Sequence, residues 1–412
     1  MLDVVIVGAG AAGVGAGLAL QAAGKSFVIL EAADRIGGRA FTDKATMELP
    51  WDQGCHWLHC ADVNPLVPWA DKVGTRYIRQ TRRKRFMYWL HDRWAGKDWV
   101  TASNQHIEEA FGAVYEAARA DRDIPVSEVL PDAGAYGPGV RHLLQLMASE
   151  DPELESASGY GDYADTEVNW PVLSGYGDLI ERMAQGLPIR TGVPVSAISE
   201  QPGGVRVETP EGPVEARSAI VTVSTNVLNS GAIRFSSPEV QPVLETVQHV
   251  PCGSYEKVAI GLRRPLPGLV ETQFFSIEPA GASPINVQLL DWSDKMVIVH
   301  IGGGTAREAG RDGPDGLRAF VTERIKLAFG ADIMDEVTAT APTGWQDNPF
   351  VQGAYSAVRP GFAQARRDLI GLHSGRIGFA GEMFSLHWQA TAHGAYQTGQ
   401  DVAARMIAHE LS

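Results

Sequence analysis

Residues 4–13, Val-Val-Ile-Val-Gly8-Ala-Gly10-Ala-Ala-Gly13, decide the fold of this chain. The apolar run from Val4 to Val7 predicts a strand, and the small residues from Val14 to Ala23 predict a helix. Of the three glycines between them, the first permits a tight turn, the second lets the backbone approach a pyrophosphate, and the third allows close packing of helix on strand. The N-terminus of such a helix offers N–H donors and a positive dipole end to an anion. The stretch therefore predicts a Rossmann-like dinucleotide-binding unit.

A second apolar run, Phe27 to Leu30, ends in Glu31. This acid falls where a ribose-binding acid belongs, about 20 residues after the glycines. A carboxylate at this point suits a ribose hydroxyl and repels a 2′-phosphate. The complete unit of strand, glycine turn, helix, strand and acid is more specific than a Gly-x-Gly-x-x-Gly motif alone.

The next residues, Asp34-Arg35-Ile36-Gly37-Gly38-Arg39, bear on the choice between NAD and FAD. Two guanidiniums flanking two glycines suit a diphosphate, because arginine offers a planar fork of donors and glycine lets backbone N–H groups come close. The segment resembles the Arg-x-Gly-Gly-Arg signature of the flavin monoamine oxidase family, which includes polyamine oxidases and L-amino acid oxidases. The resemblance implies that FAD is the cofactor.

The C-terminal segment 375–382 predicts a strand that ends in the pair Gly381-Glu382. In the family this glutamate lies beside the ribityl and phosphate part of FAD, so the resemblance implies a second end of the same cofactor site. The following residues, 386–395, are similar to the family's His-Trp segment and lead into a final helix. The N-terminus of that helix would point toward the pyrimidine edge of the flavin and stabilise negative charge there.

Two internal segments also resemble the family. Residues 170–180 look like its glycine turn and helix, and residues 192–198 look like its adenine-side strand, in which Val195 would contact adenine through its backbone. Altogether, the cofactor contacts implied by the resemblance are Gly8, Gly10, Ala12, Gly13, Glu31, Ala32, Arg35, Gly38, Arg39, Gly54, His56, Trp57, Val195, Gly381, Glu382, Ala390 and Thr391.

The candidate catalytic residues begin with Lys257, in the segment Ser254-Tyr-Glu-Lys257. It matches the family's lysine that hydrogen-bonds a water at flavin N5, and an ammonium there would stabilise the charge that develops as oxygen is reduced. On residue type alone, a strand-end lysine that reaches solvent is the commoner case. The segment 52–60 resembles the active-site segment of polyamine oxidases, with His59 at the position of their histidine and Cys60 in place of a glycine. A histidine there can accept a hydrogen bond from an ammonium.

Aromatic residues near the flavin form the third part of the predicted site. Residues 353–356 resemble the family's Gly-x-Tyr-Ser segment, so Tyr355 would form one wall of the aromatic cage that orients the amine. Ala354 stands where covalent members carry a flavin-linking cysteine, which predicts noncovalent FAD. The opposite wall falls at Thr391, which is not aromatic, so Trp388 or Phe384 would have to replace it.

The predicted fold class is α/β, with a Rossmann-like FAD-binding domain of the GR2 type interleaved with an α+β substrate-binding domain. Segments 1–61, 185–262 and 370–412 are assigned to the FAD-binding domain, and segments 62–184 and 263–369 to the substrate-binding domain. Amphipathic spacing predicts a helix over 104–120, and alternation predicts strands over 205–209 and 219–223.

The resemblance implies an FAD-dependent amine oxidase that passes a hydride from the carbon next to nitrogen to flavin N5. The imine then hydrolyses, and O2 or another acceptor reoxidises the flavin. The expected substrate is a small primary or secondary amine, and polyamine-like cations are included. Three alternatives stay open: a flavin desaturase, a noncatalytic FAD-binding protein favoured by Thr391, and an L-amino acid oxidase. The last would need a carboxylate-binding arginine, for which the candidates are Arg79, Arg82, Arg83 and Arg359.

Composition narrows the class of protein. The formal charge of −14 argues against nucleic acid, whose phosphates need a basic face. Three scattered cysteines predict neither a disulfide framework nor a metal site, and a reduced, cytoplasmic compartment is expected. The absence of about 18 consecutive apolar residues predicts no membrane anchor. The oligomeric state is left open.

Overall fold

The computed structural model describes residues 1–81, 83–269, 271–372 and 375–409. Its strands are β1 (Leu2–Val7), β2 (Phe27–Leu30), β3 (Thr42–Asp43), β4 (Trp51–Asp52), β5 (Trp57–Leu58), β6 (Arg85–Leu90), β7 (Arg93–Trp94), β8 (Trp170–Pro171), β9 (Ile189–Arg190), β10 (Ala197–Gln201), β11 (Gly204–Glu208), β12 (Val214–Val221), β13 (Arg234–Phe235), β14 (Tyr255–Leu262), β15 (Thr272–Glu278), β16 (Ile285–Leu290), β17 (Ser293–Gly302), β18 (Val337–Pro342) and β19 (Ile377–Phe379). Its α-helices are α1 (Ala11–Ala22), α2 (Leu66–Val73), α3 (Lys97–Arg119), α4 (Gly137–Ala148), α5 (Ala157–Tyr160), α6 (Tyr176–Met183), α7 (Thr225–Asn229), α8 (Gln241–Val247), α9 (Gly303–Ala309), α10 (Gly313–Phe329), α11 (Ala365–Gly371) and α12 (Ala392–His409).

The first sheet contains the predicted nucleotide-binding unit. Its strand order is β13-β10-β11-β12-β1-β2-β9, and β19 also pairs with β12. Strand β1 lies between β12 and β2 and is parallel to both, with Val5 opposite Ala219 and Val28. Residues Val4–Val7 are all buried, as is typical of a parallel strand covered on both faces. The strand, turn, helix and second strand predicted from residues 4–30 are confirmed.

Close packing of α1 against α12 joins the two ends of the chain. A Cβ on Gly15 would lie 2.4 Å from the carbonyl oxygen of Tyr396, and a Cβ on Gly399 would lie 2.0 Å from that of Ala12. The small residues of α1 therefore let the two helices approach until backbone meets backbone. This contact places the middle of α12, around Gly399, against the first turn of α1.

The second sheet has the order β18-β14-β17-β16-β15-β6-β7. Its pairs are antiparallel except for β15 with β6, and Lys257 on β14 lies opposite His300 on β17. One face packs on α10 through an apolar cluster that includes Val258, Val299 and Phe275. The opposite face carries polar residues and, on strands β14, β16 and β17, contributes to the candidate site.

The sheets confirm the α/β class with a Rossmann-like unit. The helix predicted over 104–120 lies within α3, and the strands predicted over 205–209 and 219–223 correspond to β11 and β12 of the first sheet. The division into two interleaved domains stays a proposal, and one boundary differs from the prediction. Strand β14 belongs to the second sheet although segment 185–262 was assigned to the FAD-binding domain, because its pairing partners β17 and β18 come later in the chain.

Candidate active site

The glycine turn after β1 has the geometry that a dinucleotide requires. Gly8 has φ = +104°, a backbone conformation that favours glycine. A Cβ on Gly13 would lie 1.9 Å from the carbonyl oxygen of Gly8, so close packing of helix on turn excludes any side chain there. At Gly10 the nearest atom to a Cβ would be the carbonyl oxygen of Gly37, 3.8 Å away. Gly10 therefore faces open space at the N-terminus of α1, where a pyrophosphate would lie against free N–H donors.

A substitution at Gly10 separates cofactor binding from folding. We expect Gly10→Ala to weaken FAD binding by about tenfold or more, or about 1.4 kcal/mol, because the methyl group occupies the space next to the N–H donors. The free energy of unfolding of the apoprotein should fall by less than about 1 kcal/mol, the usual range for a helix N-cap change. Titration of the apoprotein with FAD and its chemical denaturation measure both quantities.

The control for this prediction is Gly13→Ala, which should prevent folding because its Cβ meets the Gly8 carbonyl. Equal FAD affinity of Gly10→Ala and the unaltered protein would contradict the placement of the pyrophosphate.

Glu31 lies at the end of β2 and is held by the backbone around it. Its carboxylate accepts hydrogen bonds from the N–H groups of Ala9 at 2.6 Å and Ala33 at 2.9 Å. The N–H of Val193 donates to the Glu31 carbonyl at 2.9 Å, so the segment that contains Val195 runs beside this acid. The adenine-side strand predicted over 192–198 is wrong at its start, since β10 begins only at Ala197. Pro194 has no N–H to give to a strand ladder.

Arg39 and Glu382 connect the two predicted ends of the cofactor site. Nη1 of Arg39 lies 3.0 Å from Oε1 of Glu382 and also donates to the carbonyl oxygen of Ala354. Arg35 does not share this position: its Nη1 donates to the carbonyl oxygen of Gly38 at 2.9 Å, and its guanidinium lies 4.0 Å above the Phe41 ring. Only one of the two guanidiniums therefore reaches the interior.

Glu382 is the centre of a buried hydrogen-bond network. Besides Arg39, its carboxylate accepts from the N–H of Ser356 at 3.1 Å, the hydroxyl of Ser356 at 2.7 Å and the N–H of Ala390 at 3.0 Å. Burial raises the pKa of Glu382, but the charges of Arg39 and Arg366 and the hydrogen bonds from Ser356 and Ala390 together lower it below its usual value. Arg366, which is 1% exposed and donates to the Ser356 hydroxyl, was missed from the sequence. Nothing in its local sequence distinguishes it from Arg367.

Lys257 is buried rather than solvated, with 3% of its surface exposed. Its Nζ donates to the carbonyl oxygens of Asp52 at 3.2 Å and Gly54 at 2.5 Å, and lies 3.0 Å from Nδ1 of His56. These three acceptors match the three hydrogens of an ammonium. Burial lowers the pKa of Lys257 to about 8, against the attraction of Asp52 and Cys55. The predicted water contact at flavin N5 stays a prediction.

Two histidines beside Lys257 are neutral. Because the Lys257 ammonium donates to Nδ1 of His56, the proton of this histidine belongs on Nε2. His56 stacks on His300 with 5.5 Å between ring centroids, and Nδ1 of His300 lies 2.8 Å from the Tyr255 hydroxyl. Burial and the charge of Lys257 hold the pKa of both histidines well below the usual value. His300 and Tyr255 were missed, since His300 reaches the site through strand pairing that its own sequence does not reveal.

His59, the predicted active-site histidine, is exposed at the protein surface. Its Nδ1 lies 2.7 Å from Oδ1 of Asn169. Surrounding protein atoms lower the pKa of His59, although its ring remains open to solvent on one side. The segment 52–60 thus directs His56 to Lys257 and His59 to solvent.

The predicted aromatic cage is only partly found. Tyr355 lies 5.9 Å from the Tyr255 ring, and its hydroxyl donates to the carbonyl oxygen of Leu146. Thr391 caps the last helix: its hydroxyl donates to the Trp388 carbonyl at 2.7 Å and accepts from the N–H of Gly394 at 3.0 Å. Trp388 lies 5.2 Å from the His393 ring. Tyr255 is therefore the aromatic neighbour that the structure gives to Tyr355.

Phe384 does not complete the cage. It is buried in the apolar cluster beneath the first sheet, 6.2 Å from the Phe379 ring. Its surroundings are those of an ordinary core residue.

Three of the four arginines predicted for a substrate carboxylate contact other groups of the protein. Arg359 contacts Glu150 and the Leu154 carbonyl, both at 3.0 Å, and Arg83 pairs with Asp294. Arg79 lies over the Trp170 ring at 5.0 Å. Arg82 lies outside the described residues. Within those residues, no group of acidic, histidine or cysteine side chains could hold a metal ion, and no helix is long and apolar enough to cross a membrane.

The fold and the site together define a Rossmann-type flavoprotein. A sequence model of the family described as flavin containing amine oxidoreductase matches residues 93–407, and a model of the NAD(P)-binding Rossmann-like domain matches residues 6–69. The chain therefore belongs to the flavin-containing amine oxidoreductase family. Membership of this family indicates FAD as the cofactor, and the geometry of the glycine turn after β1 fits a dinucleotide of this kind.

Individual relatives are distant but cover the whole chain. Human lysine-specific histone demethylase 2 is 26% identical over 98% of this chain and 53% of the demethylase, so the chain spans about half the length of that relative. Polyamine oxidase 2 of Arabidopsis thaliana is 25% identical over 96% of this chain and 86% of the oxidase. Cyclohexylamine oxidase from Brevibacterium oxydans IH-35A has a TM-score of 0.80 over 100% of this chain and 99% of its own, at 20% identity. This structural likeness shows the fold.

Proposed function

We propose that the protein is an FAD-dependent oxidase of a primary or secondary amine, with dioxygen as the electron acceptor. The product would be an imine that water hydrolyses. Family membership supports amines as the substrate class, and two of the relatives are named for a polyamine and for cyclohexylamine. The roles assigned below to individual residues are part of this proposal.

The observation that carries the proposal is the buried cation at Lys257. A lysine ammonium is costly to bury unless its hydrogens are bonded, and here three acceptors from the segment 52–56 hold it. Natural proteins bury such a charge rarely, and strongly shifted pKa values concentrate at functional sites. The segment 52–60 that holds Lys257 also includes His59, whose side chain is exposed to solvent.

The chain's own residues divide the proposed work between them. When bound, the flavin supplies the two-electron acceptor for the carbon–hydrogen bond next to the substrate nitrogen. Glu382 and Arg39 hold the two ends of the cofactor site together, and Glu31 receives the ribose. Tyr255 and Tyr355 present neighbouring rings to the substrate, and His59 accepts a hydrogen bond from its amine. Lys257 stabilises negative charge that develops beside it.

Two alternatives lose support from specific contacts. An L-amino acid oxidase needs a free guanidinium near Lys257, whereas Arg83 and Arg359 are paired with carboxylates at other places. The hypothesis of a noncatalytic FAD-binding protein depended on the polar residue Thr391. Its hydroxyl caps the N-terminus of α12, which explains a threonine at this position.

The products test the proposal. The holoprotein should convert a responsive amine, in air, into equal amounts of aldehyde or ketone and hydrogen peroxide. A panel of arylalkylamines, cycloalkylamines, diamines, polyamines and L-amino acids, with both products measured, covers the named classes. Consumption of an L-amino acid but not of its decarboxylated amine would replace the amine oxidase assignment.

The pKa of Lys257 predicts how reoxidation depends on pH. Its ammonium is present below a pKa of about 8 and is lost above it. The rate of flavin reoxidation by dioxygen should therefore fall as the pH rises through about 8, because the stabilising charge disappears. Stopped-flow measurements of the reduced holoprotein between pH 6.5 and 9.5 test this decrease in rate. The window spans about one and a half pH units on each side of the Lys257 pKa. A flat profile, or a rate that rises through this range, would argue against the role of Lys257.

A further inference from the structure

Two tyrosines of the candidate site keep accessible surface inside the protein. The rings of Tyr255, on β14, and Tyr355 lie 5.9 Å apart, and both residues are half-buried. Burial raises the pKa of both phenols, because protein atoms surround most of each side chain. Rings that protein surrounds, but that keep some accessible surface, line an internal space rather than the outer surface. The direction of their hydroxyl protons therefore decides what a ligand in that space would meet.

The hydroxyl proton of Tyr355 points to the backbone. The hydroxyl donates to the carbonyl oxygen of Leu146 on α4, and a carbonyl oxygen can only accept. A hydroxyl that has given its one hydrogen to a neighbour keeps two lone pairs. Tyr355 therefore offers a ligand an acceptor and no donor.

His300 and Gln288 fix the hydroxyl proton of Tyr255 in the same sense. Nε2 of His300 lies 3.1 Å from Oε1 of Gln288, and Nδ1 of His300 lies 2.8 Å from the Tyr255 hydroxyl oxygen. Burial and the charge of Lys257 keep this imidazole neutral, so it carries a single proton. Because an amide oxygen can only accept, that proton lies on Nε2, and Nδ1 accepts the hydroxyl proton of Tyr255. Tyr255, like Tyr355, is left with lone pairs alone.

Two neighbouring oxygens of this kind discriminate between ligands. An amine, neutral or protonated, brings N–H donors that these oxygens can accept. An ionised carboxylate has lone pairs only, so it cannot bond to either oxygen. Leaving a buried polar group without a hydrogen bond costs about 1–3 kcal/mol. The arrangement therefore favours an amine over the same amine with a carboxylate next to its nitrogen-bearing carbon.

We propose that His300 is a positioning residue for substrate selection: by accepting the proton of Tyr255, it makes that hydroxyl an acceptor for amines and excludes amino acids. The inference rests on the proposed function in taking an amine as the ligand, and it deepens that proposal by naming amines without a carboxylate as the substrate class. His300 acts through Tyr255, and no bond to the substrate forms.

Nitrogen NMR of the holoprotein, with its histidines labelled with ¹⁵N, tests the proton positions without catalysis. The spectrum distinguishes a protonated from an unprotonated ring nitrogen, and comparison with His300→Gln assigns the His300 signals. We expect Nδ1 of His300 to be unprotonated and Nε2 to be protonated. A proton on Nδ1 would overturn the proposal, because Tyr255 would then accept from the histidine and keep its own hydrogen for a ligand.

Ligands that cannot be oxidised measure the selection itself. The amines tert-butylamine and 2-aminoisobutyrate both lack a hydrogen on the carbon next to nitrogen, and they differ by a carboxylate in place of one methyl group. Titration of the holoprotein, followed by flavin absorbance, gives the dissociation constant of each. The preference for tert-butylamine should fall by about tenfold in His300→Leu, which corresponds to about 1.4 kcal/mol. His300→Gln should retain most of the preference, because its amide oxygen can accept the Tyr255 proton.

A double variant separates this role from a general structural effect. In a Tyr255→Phe background, His300→Leu should cause no further change in the preference, because the hydroxyl through which it acts is already absent. The matched control is His142→Leu, since His142 on α4 is also 3% exposed but is not part of the chain from Gln288 to Tyr255. This control should leave the preference unchanged. An unchanged preference in His300→Leu, or an equal loss in His142→Leu, would overturn the proposal.

These measurements need no turnover. A holoprotein that shows the His300 effect but oxidises no amine would keep the positioning role and lose the amine oxidase proposal. A holoprotein that oxidises amines, but whose preference is the same in His300→Leu, would keep the proposed function and lose the positioning role.

Discussion

Replacing Lys257 by methionine should slow flavin reoxidation by dioxygen by about 10²-fold, the usual cost of removing one preorganised charge from a reacting centre. Methionine has a similar length but no charge, so the oxygen that becomes negative would lose its stabilising partner. Flavin reduction by the amine should slow much less, because the substrate is held by other residues. Stopped-flow absorbance separates the two half-reactions. The fall in the reoxidation rate as the pH rises through about 8 should be absent in the same variant.

The control for this prediction is Lys295→Met. Lys295 lies on β17 of the same sheet, but its side chain is 61% exposed and 3.8 Å from Glu48. This variant changes the net charge by the same amount and should leave both half-reactions unchanged, since exposed charges are screened. A Lys257→Met variant that reacts with dioxygen as fast as the unaltered protein would remove the lysine from the account.

Replacing Glu382 by glutamine should destabilise the protein and empty its cofactor site. Arg39, whose side chain is 24% exposed, would lose its counter-charge. Removing one partner of a buried ion pair costs about 3–5 kcal/mol, and we expect at most the lower end of that range here. The NH2 group that replaces one carboxylate oxygen would also face the N–H of Ser356 or that of Ala390, each of which needs an acceptor. We therefore expect purified Glu382→Gln to contain little FAD and to unfold at lower denaturant concentration. The flavin to protein absorbance ratio and chemical denaturation measure these effects.

An exposed ion pair of the first sheet provides the matched control. Glu208 lies 2.7 Å from Arg206, with both side chains more than a third exposed. Glu208→Gln makes the same chemical change, and exposed pairs contribute at most about 1 kcal/mol. FAD content should not change. If Glu382→Gln retained full FAD content and stability, the link between the two ends of the site would not matter for binding.

Local sequence chemistry was sufficient for the nucleotide-binding unit. The glycine spacing, the apolar runs and Glu31 are all contiguous, and each acts within its own turn, helix or strand. Lys257 and Glu382 are predicted only by the resemblance of their segments to the family, and the structure shows the first buried and the second paired with Arg39. The cap at Thr391 was also accessible, since a threonine directly before a helix is a usual N-cap. The resemblance to the family instead suggests that Thr391 replaces an aromatic wall of the substrate cage.

Long-range pairing accounts for what the sequence did not reveal. His300 lies opposite Lys257 only because β14 and β17 pair in one register, and a shift by one residue would turn it to the other face. Strand β14 joins the second sheet for the same reason. Arg366 reaches Ser356 by way of a buried helix start. The contacts of His300 and β14 join segments far apart in the chain, whereas Arg366 and Ser356 are ten residues apart and no local motif marks their contact.

Anaerobic bleaching of the bound flavin by amines tests the central claim most directly. The purified holoprotein is mixed, without oxygen, with arylalkylamines, cycloalkylamines, polyamines and L-amino acids, and the flavin absorbance is followed. The account predicts rapid and complete loss of the oxidised flavin band with at least one class of amine, and its return when air is admitted. An FAD-loaded protein whose flavin no amine bleaches would contradict the assignment as an amine oxidase.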